Sequence, residues 1–552
     1  MFTSWVALFV LASFLPQLGD CAATPYTVNI GSQATIVGYE YDSPASRQFL
    51  GIPYAQSISE RNRFTPPLRR DPSGQMIAQH WGSSCWQPGD ANTANNAEDC
   101  LFLNIWTPKI QNITQQKYPV FFFIHGGGYQ TGSGNMGMQN IISRDIVTVS
   151  INYRLNVFGF FTTRDSSIPG NMGLKDQIEA LNWVKRYISY FGGDPNMITI
   201  AGHSAGSMSV SLLTLSPVSQ NLFQRAIFHS GSGFSTGYFS NSINDNNYSK
   251  NVAVTLGCIT ADNWDKHDAL QMQLMLRCLQ TKTAQQIHDV GGFFIPLVDG
   301  PGGVIPDQLE VLAQRRPPIP IMIGNTHDEE FTWQLNTGDG GVLSNESVAY
   351  LSRFTRQYAT NAIAHTSLIR YFNNSQSVEQ AIKAAYIDST NINDTDNIGW
   401  AKVQIQLYTE LQFIGPTYRD AMLARQTHSP VYLYSFDYLA PWAWPTLDPR
   451  LRDSAIPHGW ELQYIYGNPN GGHGTSDDLA TQNYMETFWT NFIKYGNPTP
   501  TGSAITWPQL AGNMEFMSIG PHPTASTGFH PKSKFFACNV PAIEGVSHSW
   551  CT

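Results

Sequence analysis

A serine flanked by glycines two residues away on either side occurs twice in this 552-residue chain. Ser204 lies in Gly202-His203-Ser204-Ala205-Gly206, and Ser235 in Gly233-Phe234-Ser235-Thr236-Gly237. Near-absent side chains at the flanking positions are what a sharp turn carrying a nucleophile requires. A free serine hydroxyl reacts poorly, so it also needs a base, a group that orients the base, and donors for the developing oxyanion. The run "IHGGGYQTGSG" from Ile124 to Gly134 offers the donors, because consecutive glycines let backbone N–H groups approach a substrate oxygen. Candidates for the orienting acid are Asp328, Glu329 and Glu330 in "NTHDEEFTW". The base, last in the order serine, acid, histidine, has two candidates: His458 in "IPHGWELQYIYG" and His473 in "GGHGTSDD". Spacing ranks His458 first. His203 adjoins Ser204, but neighbouring side chains on a sharp turn diverge, so it is not the expected base.

These residues need a frame that brings them together. Short apolar runs without alternation recur along the chain: "PVFFFI" (119–124), "IVTVSINY" (146–153), "MITIA" (197–201), "PIPIMIG" (318–324) and "PVYLYSF" (430–436). Such runs read as strands buried on both faces. Between two of them Leu174, Ile178, Leu181, Val184 and Ile188 follow helical spacing, and the stripe stops at Gly192-Gly193. Strand, helix, strand implies an α/β fold with a parallel sheet and right-handed crossovers, whose ligands bind at the carboxyl ends of the strands. That rule separates the two serines. Ser204 directly follows "MITIA" and precedes the helix-like "SMSVSLLTL", whereas Ser235 follows "AIFHS" only after a glycine-rich gap and precedes the turn-forming "YFSNSINDNN".

Composition narrows the class. Charged residues are 13% and hydrophobic ones 42%, which is globular rather than disordered. A net charge of -9 without long charged runs argues against nucleic acid or anionic membrane surfaces as partners. The apolar run Val6 to Leu15, then Pro16 and small residues at Cys21, Ala22 and Ala23, reads as a signal peptide over residues 1–23, too short for a membrane anchor. Residues 24–552 are then expected to form one domain. Its six cysteines, Cys85, Cys100, Cys258, Cys278, Cys538 and Cys551, favour three disulfides in an exported chain, and no C-x-x-C spacing suggests a metal. Sequons at Asn112, Asn247, Asn345, Asn373 and Asn393 fit a secreted glycoprotein.

From about Val28 to Cys538 the chain resembles the type-B carboxylesterase and cholinesterase family of α/β-hydrolases. "EDCLFLN" (98–104) resembles one family signature and "FGGDPNMITIAGHSAG" (191–206) the longer one around the nucleophile; "FLGIPYAQ", "NYRLNVFGF", "GLKDQIEALNWV" and "WTNFIKYGNP" are equally typical. The resemblance implies a large, mostly parallel twisted sheet with helices on both faces and long insertions. It implies a triad of Ser204, His458 and Glu329, with Glu330 where the family usually has glycine, and oxyanion donors at Gly127, Gly128 and Ala205. It further implies disulfides Cys85 to Cys100 and Cys258 to Cys278, and ion pairs of Arg63 with Glu98 and Arg154 with Asp176. Gly415 stands where the family's third disulfide begins, which leaves Cys538 and Cys551 to pair with each other.

The implied activity is hydrolysis of a small carboxylic ester through an acyl-enzyme, with no metal or organic cofactor. Three departures bear on the substrate. Fourteen residues separate Cys85 from Cys100, and Trp86 adjoins the first cysteine, so neither the choline-stacking tryptophan of related cholinesterases nor the long lid of related lipases is matched. Val290 and Gly292 align where cholinesterases place bulky aromatics in the acyl pocket, which points to larger acids. His203 replaces a glutamate that aids cation binding there. A general carboxylesterase is therefore expected ahead of a lipase or a cholinesterase. A binding or adhesion ectodomain on the same fold is the alternative of a different class.

Overall fold

The β-branched and aromatic runs become strands because each can bury both of its faces. In a computed structural model, residues 23–551 are described apart from 43–44, 88–94, 110–115, 240–246, 337–346, 365–371, 373, 468–473, 544 and 547. The leader expected over residues 1–23 and His473 therefore lie outside the described residues, except Ala23. The strands are β1 Thr24–Ile30, β2 Ala34–Asp42, β3 Ala45–Pro53, β4 Gly74–Ile77, β5 Ser84–Cys85, β6 Asn96–Ala97, β7 Phe102–Pro108 and β8 Tyr118–Ile124. They continue as β9 Val147–Ile151, β10 Gly193–His203, β11 Arg225–His229, β12 Ile321–Thr326, β13 Val431–Phe436, β14 Phe516–Ile519 and β15 Thr524–Ser526.

Among the described residues one sheet runs in the order β1-β2-β3-β7-β9-β8-β10-β11-β12-β13-β14-β15, with β4 beside β2. From β9 to β14 every neighbouring pair is parallel, and the two ends are antiparallel. This is the expected mostly parallel sheet. Alternation inside β8 shows why its sequence lacks a polar face: Val120, Phe122 and Ile124 enter one core, and Phe121 and Phe123 the other. The helix Met172–Tyr187 contributes Leu174, Leu181 and Val184 to the first core, and Gly192 ends the following 3-10 turn with φ 88°. Opposite, the helix Ser476–Tyr495 covers the second core with Met485, Phe488, Trp489, Phe492 and Ile493. It starts on a capping box of Thr475 with Asp478 and stops at Gly496.

Disulfides join Cys85 to Cys100, Cys258 to Cys278 and Cys538 to Cys551. Arg63 and Arg154 pair with Glu98 and Asp176 as the resemblance implied. Asp176 is fully buried and accepts from Arg154 Nε and Nη2 at 2.7 Å each and from the Arg154 amide at 3.1 Å. Removing the carboxylate leaves a buried, unpaired guanidinium, so Asp176→Ala is expected to cost about 3–5 kcal/mol of unfolding free energy. Asp71→Ala, which breaks the exposed pair with Arg69, is expected to cost less than about 1 kcal/mol. Urea titrations of the two variants make the comparison. No described helix is long and apolar enough to cross a membrane.

Candidate active site

Strand β10 ends at His203, and the helix Ala205–Leu215 begins at once, so Ser204 must turn the chain alone. It does so at φ 57°, a strained conformation for a residue with a Cβ. Its N–H is held by the carbonyl of His229 at the end of β11 (2.9 Å), and its carbonyl accepts from Met208 (2.9 Å). Both flanking glycines are sterically required. A Cβ on Gly202 would lie 2.3 Å from Gly206, and one on Gly206 would lie 2.1 Å from the carbonyl oxygen of Ile124. Ser235, by contrast, is buried, and its hydroxyl accepts the Ser232 amide at 3.3 Å, a structural place.

The glycine loop after β8 packs against the same turn. A Cβ on Gly126 would stand 2.8 Å from the Ser204 Cβ. Gly127 and Gly128 both have positive φ, 108° and 62°. Among the described residues the N–H groups of Gly127, Gly128 and Ala205 donate no hydrogen bond. Three backbone donors are thus left beside the serine.

The loop after β12 carries the acids. Glu329 is fully buried and accepts at Oε1 from the Thr326 amide (2.9 Å) and Asn325 Nδ2 (3.2 Å), while Oε2 faces His458 Nδ1 at 2.5 Å. The backbone agrees, since the His458 amide donates to the Glu329 carbonyl at 3.2 Å. Glu330, where a glycine was expected, turns away: its amide donates to Thr409 Oγ1 and its carboxylate accepts from Gln334. Burial pushes that carboxyl up to about 7. Asp328 bonds His327 instead. Of the three acids, Glu329 alone reaches His458.

His458 Nε2 is buried and holds no hydrogen bond, and Ser204 Oγ has none among the described residues. The two atoms do not bond each other in this structure, an arrangement common in substrate-free sites. Their elements meet through His203, whose ring centroid lies 4.3 Å from that of His458. Phe413 at 4.8 Å and Trp333 at 5.1 Å complete three rings around the imidazole. Burial holds His203 well below the usual histidine range, with the neighbouring His458 and His229 adding to the effect, so the ring against His458 is neutral.

Behind this site lies a buried polar group whose glutamate ends the family-like His458-Gly459-Trp460-Glu461 step, although sequence reading assigned it no role. Glu461 is inaccessible to solvent with neither carboxylate oxygen bonded, and burial followed by the charge of Glu329 pushes its carboxyl up to about 8. His229 Nε2 accepts from Trp489 at 3.1 Å, which puts the ring proton on Nδ1, 3.9 Å from Glu461 Oε1. Trp333, one helical turn beyond Glu329, had a sequence signal in that spacing. Phe413 had none, because a π-helical turn at Glu410–Ile414 delivers it from far along the chain.

The residues expected to shape an acyl pocket sit differently from one another. Val290 caps the helix Ala284–Asp289 and packs partly buried on the core. Gly292 creates no space, since a Cβ there would lie 2.7 Å from Phe294 and 3.1 Å from Tyr248. Phe293 instead stands exposed and edge-on to Tyr238 (5.7 Å), and Tyr238 reaches within 3.7 Å of where a Gly128 Cβ would be.

Comparison with known proteins gives the family. The model of the carboxylesterase family matches residues 26–537. Esterase FE4 of Myzus persicae is 32% identical, over 87% of this chain and 86% of its own length, and carboxylesterase 1F of Mus musculus is 28% identical over 93% and 94%. Neuroligin-2 of Mus musculus is 30% identical over 82% of this chain, which spans only 57% of that relative's length. With a family match from Tyr26 to Ala537 laid over this sheet and its serine turn, the chain belongs to the carboxylesterase family and has its α/β-hydrolase fold.

Proposed function

We propose that the protein is a secreted serine carboxylic-ester hydrolase, exported by its leader and glycosylated at sequons such as the exposed Asn393. The observation that carries the activity is His458, joined at Nδ1 to a fully buried carboxylate, left unpartnered at Nε2, and with its ring centroid 4.3 Å from that of His203, the residue before a serine held at φ 57°. Glu329 fixes the imidazole with its proton on Nδ1, so Nε2 is the atom that accepts. On ester binding the Ser204 Oγ attacks the carbonyl carbon and its proton passes to Nε2. The carbonyl π electrons move to oxygen, where the N–H groups of Gly127, Gly128 and Ala205 stabilise them. Collapse breaks the ester C–O bond, His458 returns the proton to the leaving alcohol, and an acyl group remains on Ser204. Water, activated by the same imidazole, then attacks the acyl-enzyme and releases the acid.

The substrate reading rests on what surrounds the serine. Neutral His203 in place of a carboxylate supports neutral alcohol groups over cationic ones. Phe293 and Tyr238 bound the space beside the oxyanion loop. A broad carboxylesterase is favoured over a lipase or cholinesterase. A chain-length series of nitrophenyl esters with acylthiocholines tests this, and kcat/KM is expected to be higher for the neutral esters. His203→Glu should raise the acylthiocholine preference roughly tenfold, about 1.4 kcal/mol of charge attraction; an unchanged ratio removes His203 from the specificity argument. The neuroligin match favours one other reading, a binding ectodomain, which the absence of turnover on every ester in the series would support.

A further inference from the structure

The turn that carries His458 is tied to the acid loop at both edges. The Asp328 amide donates to the Ile456 carbonyl at 3.0 Å, and the Ile456 amide donates back to Asp328 Oδ2 at 3.3 Å. Two residues on, the His458 amide donates to the Glu329 carbonyl at 3.2 Å. Asp328 is buried, and its other oxygen faces His327 Nδ1 at 3.0 Å. His327 is anchored through its own amide to Phe436 (3.1 Å), yet about half of its side chain is open to solvent, 48% by area. Asp328 therefore touches neither Ser204 nor the His458 ring but closes the ladder that sets where that ring begins.

We infer that Asp328, clamped by His327, is a positioning residue for His458, and that this clamp sets an alkaline limit to activity. The inference rests on the serine-hydrolase reading above. The groups facing His327 favour its charge. Asp328 is the largest influence, and Asp437 beyond β13 and Asp453 in the turn Pro449–Ser454 add to it. Asp437 is itself held by Ser435 and Ser518, and Asp453 by Lys402 at 2.6 Å. The other titratable neighbour among the described residues, His530, lies 5.6 Å away with its ring tilted by 48° and is kept neutral, pushed down to about 3 by burial first and then by the His327 charge. Hydrogen bonding to Asp328 raises His327 to about 9 against partial burial. Because this pKa is raised, the clamp is complete at neutral pH and loosens as pH rises through that value.

The test is kcat and KM from pH 6.5 to 10.5, on nitrophenyl butyrate, for the full secreted chain and for His327→Gln and His327→Lys. Wild type is expected to lose kcat as pH passes about 9, with KM within roughly twofold. His327→Gln should start about tenfold lower and lack that limb, and His327→Lys should hold its activity about one pH unit further, since lysine stays charged. Asp328→Ala should lower kcat by about 10 to 100-fold, whereas Asp328→Asn should resemble His327→Gln, about tenfold lower and without the alkaline limb, because its amide oxygen still accepts from Ile456 but its NH₂ then faces His327 Nδ1, which must accept and stay neutral. Superimposable profiles for the three His327 forms, or a loss carried by KM, overturn the inference while leaving the hydrolase reading intact. A wild type inactive on every ester overturns the parent reading, and this one with it.

Discussion

Ser204→Ala is expected to lower kcat for nitrophenyl esters by about 10⁶ while KM and the thermal midpoint stay close to wild type. The size follows from chemistry: Ser204 is the single residue between the end of β10 and the helix Ala205–Leu215, and the alternative serine, Ser235, is buried and bonded. Stability should hold for a geometric reason. Alanine keeps the Cβ, so the strain at φ 57° is neither relieved nor increased, and Ser204 Oγ leaves no described partner unsatisfied. A residual rate about 10³ to 10⁴ above the uncatalysed reaction is expected from the oxyanion donors alone. Retention of more than a few per cent of turnover in a pure sample excludes Ser204 as nucleophile.

Glu329→Gln is expected to lower kcat by about 10⁴ without unfolding the protein. Glu329 Oε1 accepts from the Thr326 amide and Asn325 Nδ2, so the glutamine must place its oxygen there and its NH₂ toward His458. That NH₂ can only donate. His458 Nδ1 must then accept, which moves the ring proton to Nε2, the atom that has to receive the serine proton. The base becomes the wrong tautomer with its position intact. Stopped-flow measurement of acylation should show the loss in the acylation step and little change in KM; a variant within tenfold of wild type contradicts the role. Glu330→Gln is the control, since Glu330 faces Gln334 and Thr409, and about wild-type activity is expected.

The serine turn was legible because its determinants are local: a buried strand, two glycines and a helix within about twenty residues. The helix stripe from Leu174 to Ile188 and the central strands were legible for the same reason. The choice among Asp328, Glu329 and Glu330 was not, because they share one loop and differ in what distant segments bring to them: Ile456 to Asp328, His458 to Glu329, 129 positions away, and Thr409 to Glu330. Family resemblance singled out Glu329; the residues alone left all three. Strands β1 to β4, at the antiparallel end of the sheet, were not legible because exposed and buried residues mix along them, as in the largely exposed β4, and they carry no continuous apolar run. Gly292 illustrates a different limit. A missing side chain suggests room, but Phe294 and Tyr248 fill the space. Phe413 joins the site through a π-helical turn that leaves no spacing to read, and Glu461, three residues after His458, was legible as a neighbour of the base but not as a buried, unbonded carboxyl.

The most direct test of the central claim is covalent labelling. Stoichiometric treatment with a phosphonylating nitrophenyl ester, followed by peptide mass mapping, should place one adduct on Ser204 in parallel with loss of ester turnover, and Ser204→Ala should carry none. An adduct on Ser235, or full inhibition with Ser204 unmodified, would contradict the account.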